Sequence, residues 1–317
     1  MVAEAWIEEL QGIVGKKNVT QNAPMSRYTT LRLGGPAELL CEITSEDALS
    51  RALAWASRHD VPLTVIGNGS NLLVKDGGIR GLVVHIGDGF SRISGPVPLP
   101  DGRFALTAQG GALLSSLANA AASHGLAGLE FSAGIPGTVG GAVYMNAGAY
   151  GGEMKDVVTS VTAYDFTGKP LAFLAEDLHF GYRQSRFSVE EPAAVATVTV
   201  TLSPGEEDAI WAAMREFNSR RKEKQPLQLP SCGSTFKRPP DRFTGPLIEK
   251  CDLKGCRIGG ASVSQLHAGF LVNDQEGTAA DFLALIAHVQ RVVLEQTGVE
   301  LQPEVRILGE DAPAREV

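Results

Sequence analysis

The stretch GIPGTVGGAVYMNAGAYGG, residues 134–152, sets seven glycines among apolar side chains, Asn146 and Tyr150. A flexible linker is polar and rich in glycine and serine, whereas Ile135, Val139, Val143, Tyr144 and Met145 favour burial. Two readings remain: a tight, buried turn region that binds nothing, or a backbone surface kept bare of side chains so that a flat or phosphorylated ligand can lie against it. The density of glycines favours the second. Another loop, Gly67-Asn68-Gly69-Ser70-Asn71, directly follows the apolar run PLTVIG, and successive amides in such a loop can converge on a phosphate. The dinucleotide fingerprint G-x-G-x-x-G does not fit, because Leu72 takes the third glycine position and LLV is no helix start. No G-x-x-x-x-G-K-S/T loop is present either. Two phosphate-friendly segments without either motif point to a dinucleotide site of a different design.

A third feature is charge. Ten Lys/Arg against four Asp/Glu occupy residues 220–257 of a chain whose net charge is −8. Such a local excess attracts a small anion, or else is a solvated charged face. The acidic total argues against a dedicated nucleic-acid binder, since polyanion affinity comes mostly from Lys and Arg on phosphates.

These residues have to be held by regular elements. AELLCEIT (37–44), PLTVIG (62–67), IRGLVVHI (79–86) and FALTAQGG (104–111) read as strands. Ser45 followed by Glu46 and Asp47 opens a helix through His59, and ALLSSLANAAASHG (112–125) reads as a helix stopped by Gly125. Residues 154–203 are mainly β, broken by the turn TGKP. The character changes after Ser203-Pro204-Gly205, where EEDAIWAAMREFNSRRKEK (206–224) reads as a helix leading into the basic region, and a domain boundary is placed there. Thr278 and Asp281 form a capping box for a helix to about Gln296, and VELQPEVRILG (299–309) reads as a closing strand.

At 317 residues the chain has room for two or three core-bearing units, and its 44% hydrophobic and 20% charged residues are those of a folded protein. The N-terminal MVAEAWIEELQGIVG carries acids where a signal peptide needs a basic start, so it reads as a short amphipathic helix. No apolar run approaches the roughly 20 residues that cross a bilayer. Cys41, Cys232, Cys251 and Cys256 have no paired spacing, which fits reduced thiols in the cytoplasm.

Seven segments together carry a resemblance: TTLRLGGPA (29–37), IGNGSNLLV (66–74), GIPGTVGGAVYMNAGAYG (134–151), YRQSRF (182–187), PSCGSTFKRP (230–239), HAGFLVN (267–273) and PEVR (303–306). In this order they resemble the UDP-N-acetylenolpyruvoylglucosamine reductase family, over about residues 24–310. The resemblance implies an α+β fold: an FAD-binding domain of the vanillyl-alcohol-oxidase (PCMH) type made of two α+β subdomains, then an α+β substrate-binding domain. It divides the chain into an N-terminal helical segment (1–25), an FAD-binding domain (26–203, split near 77) and a substrate-binding domain (205–317). The glycines would then make room for FAD.

The resemblance also implies the chemistry. The enolpyruvyl group of UDP-N-acetylglucosamine enolpyruvate is reduced in peptidoglycan precursor synthesis, with NADPH as reductant, a hydride from flavin N5 and a proton from a serine. It assigns FAD contacts to Gly67, Asn68, Gly69, Ser70, Asn71, Ala133, Gly134, Gly137, Gly140, Gly141, Asn146 and Gly148. Ser234 is matched to the proton donor, Arg183 to an arginine near the substrate carboxylate and Glu304 to the acidic partner. Lys224, Arg238 and His267 fall on the substrate side, with Arg221 and Lys237 as weaker candidates. Some relatives carry asparagine where this chain has Arg238, so the amide's hydrogen bond does not transfer. No metal is expected, since His267 has no second ligand at metal spacing. YRQSRF runs straight on to SVEEPAAVATVTVTL without the tyrosine-bearing insertion of longer members, which marks the shorter, type II form. A monomer in the cytoplasm, with no nucleic-acid or membrane partner, is expected. The competing functions are a flavin-dependent alcohol or sugar oxidase of the same fold, and a nucleotide-sugar binding protein in which Ser234 is idle.

Overall fold

Ser45 ends an extended segment and begins a helix: its Oγ accepts from the Ala48 N–H at 3.1 Å, and Glu46 and Asp47 follow in the first turn, where negative charge meets the positive end of the helix dipole. The computed structural model describes residues 4–312; residues 1–3 of the expected N-terminal helix and the last five of the expected substrate domain lie outside them. The chain forms two compact units, one of residues up to Gln21, Leu39–Asn68 and Gly81–Arg220, the other of Asn22–Glu38, Gly69–Arg80 and Arg221 onward.

In the first unit the helix Glu46–Arg58 buries Leu49, Leu53 and Trp55 in one cluster with Leu39, Cys41, Leu82 and Val84 of neighbouring strands. Strand Leu63–Ile66 pairs in parallel with residues 82–85. The N-terminal helix Glu4–Val14 adds Leu10 and Val14 to the same cluster. A second sheet runs in the order Pro170–Leu174, Val158–Asp165, Ala193–Pro204, Phe104–Gln109, Ile93–Pro98, antiparallel throughout. Its alternating TVTVTL face places Val198, Val200 and Leu202 against Leu114, Leu117 and Ala121 of the helix Leu114–Ala122. The TGKP turn closes on Asp165, whose Oδ1 accepts from the Thr167 and Lys169 N–H groups.

In the second unit, strands Ser231–Ser234, Phe270–Asn273, Ala261–Val263 and Arg257–Ile258 form an antiparallel sheet. The helix Ala279–Thr297 packs on it through Phe282, Leu285 and Val289, in one cluster with Phe236, Ile248 and Leu271. The expected capping box is present: Thr278 Oγ1 accepts from the Asp281 N–H at 3.1 Å and Asp281 Oδ2 from the Thr278 N–H at 2.9 Å. Asp76 accepts from the Ala279 and Ala280 N–H groups at 2.9 Å each, satisfying donors that every helix start leaves open.

Two sequence expectations need correction. VELQPEVRILG is a strand only over Arg306–Leu308, parallel to Leu72–Val74. Pro303 has no N–H to give a ladder, and the segment before Arg306 instead lies along residues 235–237, with Gln302 O accepting from Lys237 N–H and Glu304 N–H donating to Thr235 O, both at 2.8 Å. The glycine-rich stretch also contains a short helix, Val139–Tyr144, capped by Thr138. Two internal glycines hide such a helix from propensity reasoning. Among the described residues no helix is long and apolar enough to cross a membrane.

Candidate active site

The glycines prove to have two distinct reasons. A Cβ at Gly67 would lie 2.3 Å from Thr138 Oγ1, one at Gly69 2.0 Å from Tyr28 O, and one at Gly148 2.7 Å from Gly152 O. Gly140 donates its N–H to Gly110 O at 2.8 Å, and a Cβ there would sit 3.1 Å from that oxygen. Close approach of protein to protein accounts for these four, which narrows the expectation that the glycines as a group make room for a ligand. Gly141 is different. It is exposed, and a Cβ there would meet only Thr138 Oγ1, at an ordinary 3.4 Å. Helical glycine costs about 1 kcal/mol relative to alanine, and packing gives no reason to bear that cost at Gly141. A bare helix surface beginning at Thr138, beside the half-buried Ala133, Gly134 and Gly137, fits a flat, phosphorylated group such as FAD.

Asn68 is exposed and Ser70 half-buried. Asn71 is used inside the second unit: its Nδ2 donates to Glu304 O at 3.1 Å and its own carbonyl accepts from the Arg306 N–H at 3.0 Å.

In the first unit, Asn146 is fully buried. Its two amide hydrogens go to Glu153 Oε2 at 2.6 Å and Gly181 O at 3.0 Å, and its Oδ1 accepts from the Lys155 N–H at 3.0 Å. Gly148 pairs with Glu153 across a hairpin closed by Tyr150 and Gly151, both with positive φ, the geometry of a two-residue primed turn. Tyr150 stacks on Phe217 with ring centroids 4.5 Å apart. Arg183 sits in the turn Gly181–Gln184 and donates from Nη2 to Gly148 O at 3.1 Å, its guanidinium 5.4 Å from the Tyr182 ring.

Ser234, Glu304 and His267 come together in the second unit. Strand Ser231–Ser234 pairs with Phe270–Asn273 through a bulge, Ser231 opposite Val272 and Ser234 opposite Phe270. Gly233 has φ 80° inside that bulge, a conformation that glycine adopts without strain. The half-buried Ser234 lies at the end of the bulged strand, its Oγ 3.4 Å from Phe236 O. Thr235 then ties both flanks, donating its N–H to Gly269 O at 2.9 Å and accepting the Glu304 N–H at 2.8 Å. A Cβ at Gly269 would be 3.5 Å from Ser234 Oγ and 3.0 Å from His267 Cε1, so serine and imidazole flank one glycine. His267 Nδ1 accepts from the Gly269 N–H at 3.1 Å, which requires that nitrogen to be unprotonated. Desolvation lowers the His267 pKa below its usual 6.5, in agreement with a neutral ring. Burial pushes the Cys232 thiol up to about 12, with the Glu304 charge acting in the same direction, so the cysteine beside the serine loop is no nucleophile.

Lys224 ends the helix Glu207–Lys224 and is exposed. Arg238 is exposed and lies over the Phe243 ring, 3.9 Å from its centroid, as a guanidinium does on an aromatic face. The loop between them is tied at its base, where Thr244 Oγ1 donates to Lys237 O at 3.2 Å. Sequence reasoning missed Glu153, Gly269 and Thr138. Of these only Thr138 left a signal, a capping residue directly before an apolar position; the others matter through tertiary contacts that no local pattern encodes.

Residues 37–173 match the FAD binding domain model and residues 225–308 the model of the UDP-N-acetylenolpyruvoylglucosamine reductase C-terminal domain. The UDP-N-acetylenolpyruvoylglucosamine reductase of Levilactobacillus brevis is 45% identical over 92% of this chain and 94% of its own. That of Caldanaerobacter subterraneus subsp. tengcongensis is 44% identical over 98% and 100%. The crystal structure of the Thermus caldophilus enzyme (MurB) superposes with a TM-score of 0.74 at 35% identity, covering 92% of this chain and 98% of that one. A variant of Phl p 4, a glucose oxidase, shares the fold alone, with a TM-score of 0.50 at 17% identity over 64% of this chain and 45% of that one. With an FAD binding domain in one part and the reductase C-terminal domain in the other, the chain belongs to the UDP-N-acetylenolpyruvoylglucosamine reductase family and is an FAD-dependent oxidoreductase of α+β fold.

Proposed function

We propose that the chain reduces the enolpyruvyl group of UDP-N-acetylglucosamine enolpyruvate to give UDP-N-acetylmuramate, with NADPH as reductant, as a cytoplasmic monomer of the type II form. FAD is assigned to residues 26–203 and the nucleotide sugar to residues 205–317, with 1–25 as a helical lead; this division is by ligand, and residues 22–38 and 69–80 nonetheless pack in the second unit. When bound, FAD would supply the two-electron relay between NADPH and the enolpyruvyl group. Thr138, Gly140 and Gly141 would hold it, with Gly67, Asn68, Gly69, Ser70, Ala133, Gly134, Gly137 and Gly148; Asn71 and Asn146 act through the segments they fasten.

Reduction adds hydride to the terminal vinyl carbon and a proton to the carbon bearing the ether oxygen and carboxylate. Negative charge develops on that carboxylate between the two additions, and Arg183 stabilises it by a charge-assisted bond. Ser234 Oγ supplies the proton. A serine hydroxyl is a weak acid, so the basicity of the enolate-like species drives the transfer. Glu304 is the acidic partner, its main chain fixed to the residue that follows Ser234. Lys224, Arg238 and His267 contact the nucleotide sugar, the two cations through its pyrophosphate.

The observation that carries the reading is the tie between Ser234 and Glu304 through Thr235, on the bulged strand that Gly233 permits. The test is an anaerobic visible spectrum of the purified protein before and after NADPH, then after UDP-N-acetylglucosamine enolpyruvate. A flavin band that bleaches with NADPH and returns on adding the enolpyruvyl sugar is expected. A band that returns only with air would assign the chain to oxidase chemistry instead.

A further inference from the structure

We infer that Asn146 and Glu153 are positioning residues for Arg183, acting through the turn that carries it; this rests on the role proposed above for Arg183. Arg183 has φ 54°, a conformation that non-glycine residues hold only where their surroundings over-determine it. Three anchors surround this turn. Gly181 and Gln184 exchange N–H···O bonds of 3.1 and 3.3 Å. Upstream, Gly181 O accepts from Asn146 Nδ2 at 3.0 Å. Downstream, the buried Ser185 donates from Oγ to Tyr144 O at 2.9 Å.

The far end of the arginine is held by the same small group of residues. Arg183 Nη2 donates to Gly148 O, and Gly148 is the hairpin partner of Glu153, whose Cγ lies 2.7 Å from where a Gly148 Cβ would stand. The Glu153 side chain therefore lies over the residue that receives the guanidinium. Its Oε2 fixes Asn146 at 2.6 Å, while Oε1 pairs with Lys155 Nζ at 3.3 Å. Backbone and guanidinium of Arg183 are both referred to one pair, the buried Asn146 amide and the partly exposed Glu153 carboxylate. Asn146 has no exposed surface and both amide hydrogens committed, so its side chain acts on any ligand through what it holds.

The test separates carboxylate recognition from general integrity. Calorimetry on the FAD-loaded protein gives the affinity ratio of UDP-N-acetylmuramate, which has the carboxylate, to UDP-N-acetylglucosamine, which lacks it. Arg183→Ala is expected to lower this ratio at least tenfold, on the order of one charge-assisted hydrogen bond. Asn146→Ala and Glu153→Ala lower it about fivefold, as expected for loss of an orienting bond. Glu153→Gln, which retains an acceptor oxygen, restores most of it, and either alanine variant adds nothing on top of Arg183→Ala. If the Arg183 variant loses the ratio while Asn146→Ala and Glu153→Ala keep it, or weaken both ligands equally, the inference is overturned. If Arg183→Ala itself keeps the ratio, the role proposed for Arg183 falls, and amide exchange at residues 181–184 decides the positioning: faster exchange in Asn146→Ala or Glu153→Ala upholds it, and unchanged exchange refutes it.

Discussion

Asn71 holds the segment around Glu304 at two points: its Nδ2 donates to the Glu304 carbonyl at 3.1 Å, and its main-chain carbonyl accepts from the Arg306 N–H at 3.0 Å. A residue of the Gly67–Asn71 loop thus sets the main chain of the proposed acidic partner, 233 positions away. Asn71→Ala is expected to cost about 1 kcal/mol of stability, the usual worth of one hydrogen bond, and to lower turnover. In a double-variant cycle with Glu304→Gln the turnover losses should be less than additive. Strict additivity would show that Asn71 does not act through Glu304.

Ser234→Ala is expected to lower turnover by about 10²- to 10⁴-fold, the range for removing a general acid, with FAD still bound and still bleached by NADPH. The reductive half-reaction needs no proton from the protein at the sugar, so only reoxidation by the enolpyruvyl sugar should slow. Rapid-mixing spectra of the two half-reactions check this, and an unchanged reoxidation rate removes Ser234 from the mechanism.

Gly140 and Gly141 are adjacent in one helix and should respond in opposite ways. Gly140→Ala forces a methyl to 3.1 Å from Gly110 O, so the protein should unfold at lower denaturant concentration. Gly141→Ala removes a helix-breaking residue from an exposed site and should leave stability unchanged or raise it by up to about 1 kcal/mol, while weakening FAD. Urea unfolding without flavin and FAD titration of the apoprotein separate the two effects. FAD affinity unaltered in Gly141→Ala would mean that this bare surface faces no flavin.

Much of the fold was legible in the sequence, and the part of it and of the candidate site that was not has a physical reason. Capping by Ser45 and Thr278 depends on residues three apart, and the TVTVTL face on neighbours in one strand, so both can be read locally. Glycine type can be read too, but not its cause: Gly67 and Gly141 look equivalent in sequence, yet a Cβ at Gly67 would lie 2.3 Å from Thr138 Oγ1, while the exposed Gly141 would place one an ordinary 3.4 Å from that oxygen. Pro303 signalled the break in the closing strand, and the apolar alternation of LQPEV masked it. Asn71 and Asn146 were expected as cofactor contacts; that within the protein their side chains hold Glu304 and the Arg183 turn was not legible, because an amide's partners are set by tertiary approach.

His267 makes the site pH-sensitive in a defined direction. Desolvation lowers its folded-state pKa below the usual 6.5, so the unfolded chain takes up the proton first as pH falls. Its stabilising contribution is therefore complete above about pH 6.5 and is lost as pH drops from there through the folded value. Protonation also breaks the bond in which Nδ1 accepts from the Gly269 N–H, beside Ser234. The stability advantage of the wild type over His267→Asn, measured by urea unfolding, should therefore be larger at pH 7.5 than at pH 5.5. An advantage that stays constant across that interval would mean that the imidazole titrates alike in the folded and unfolded chains.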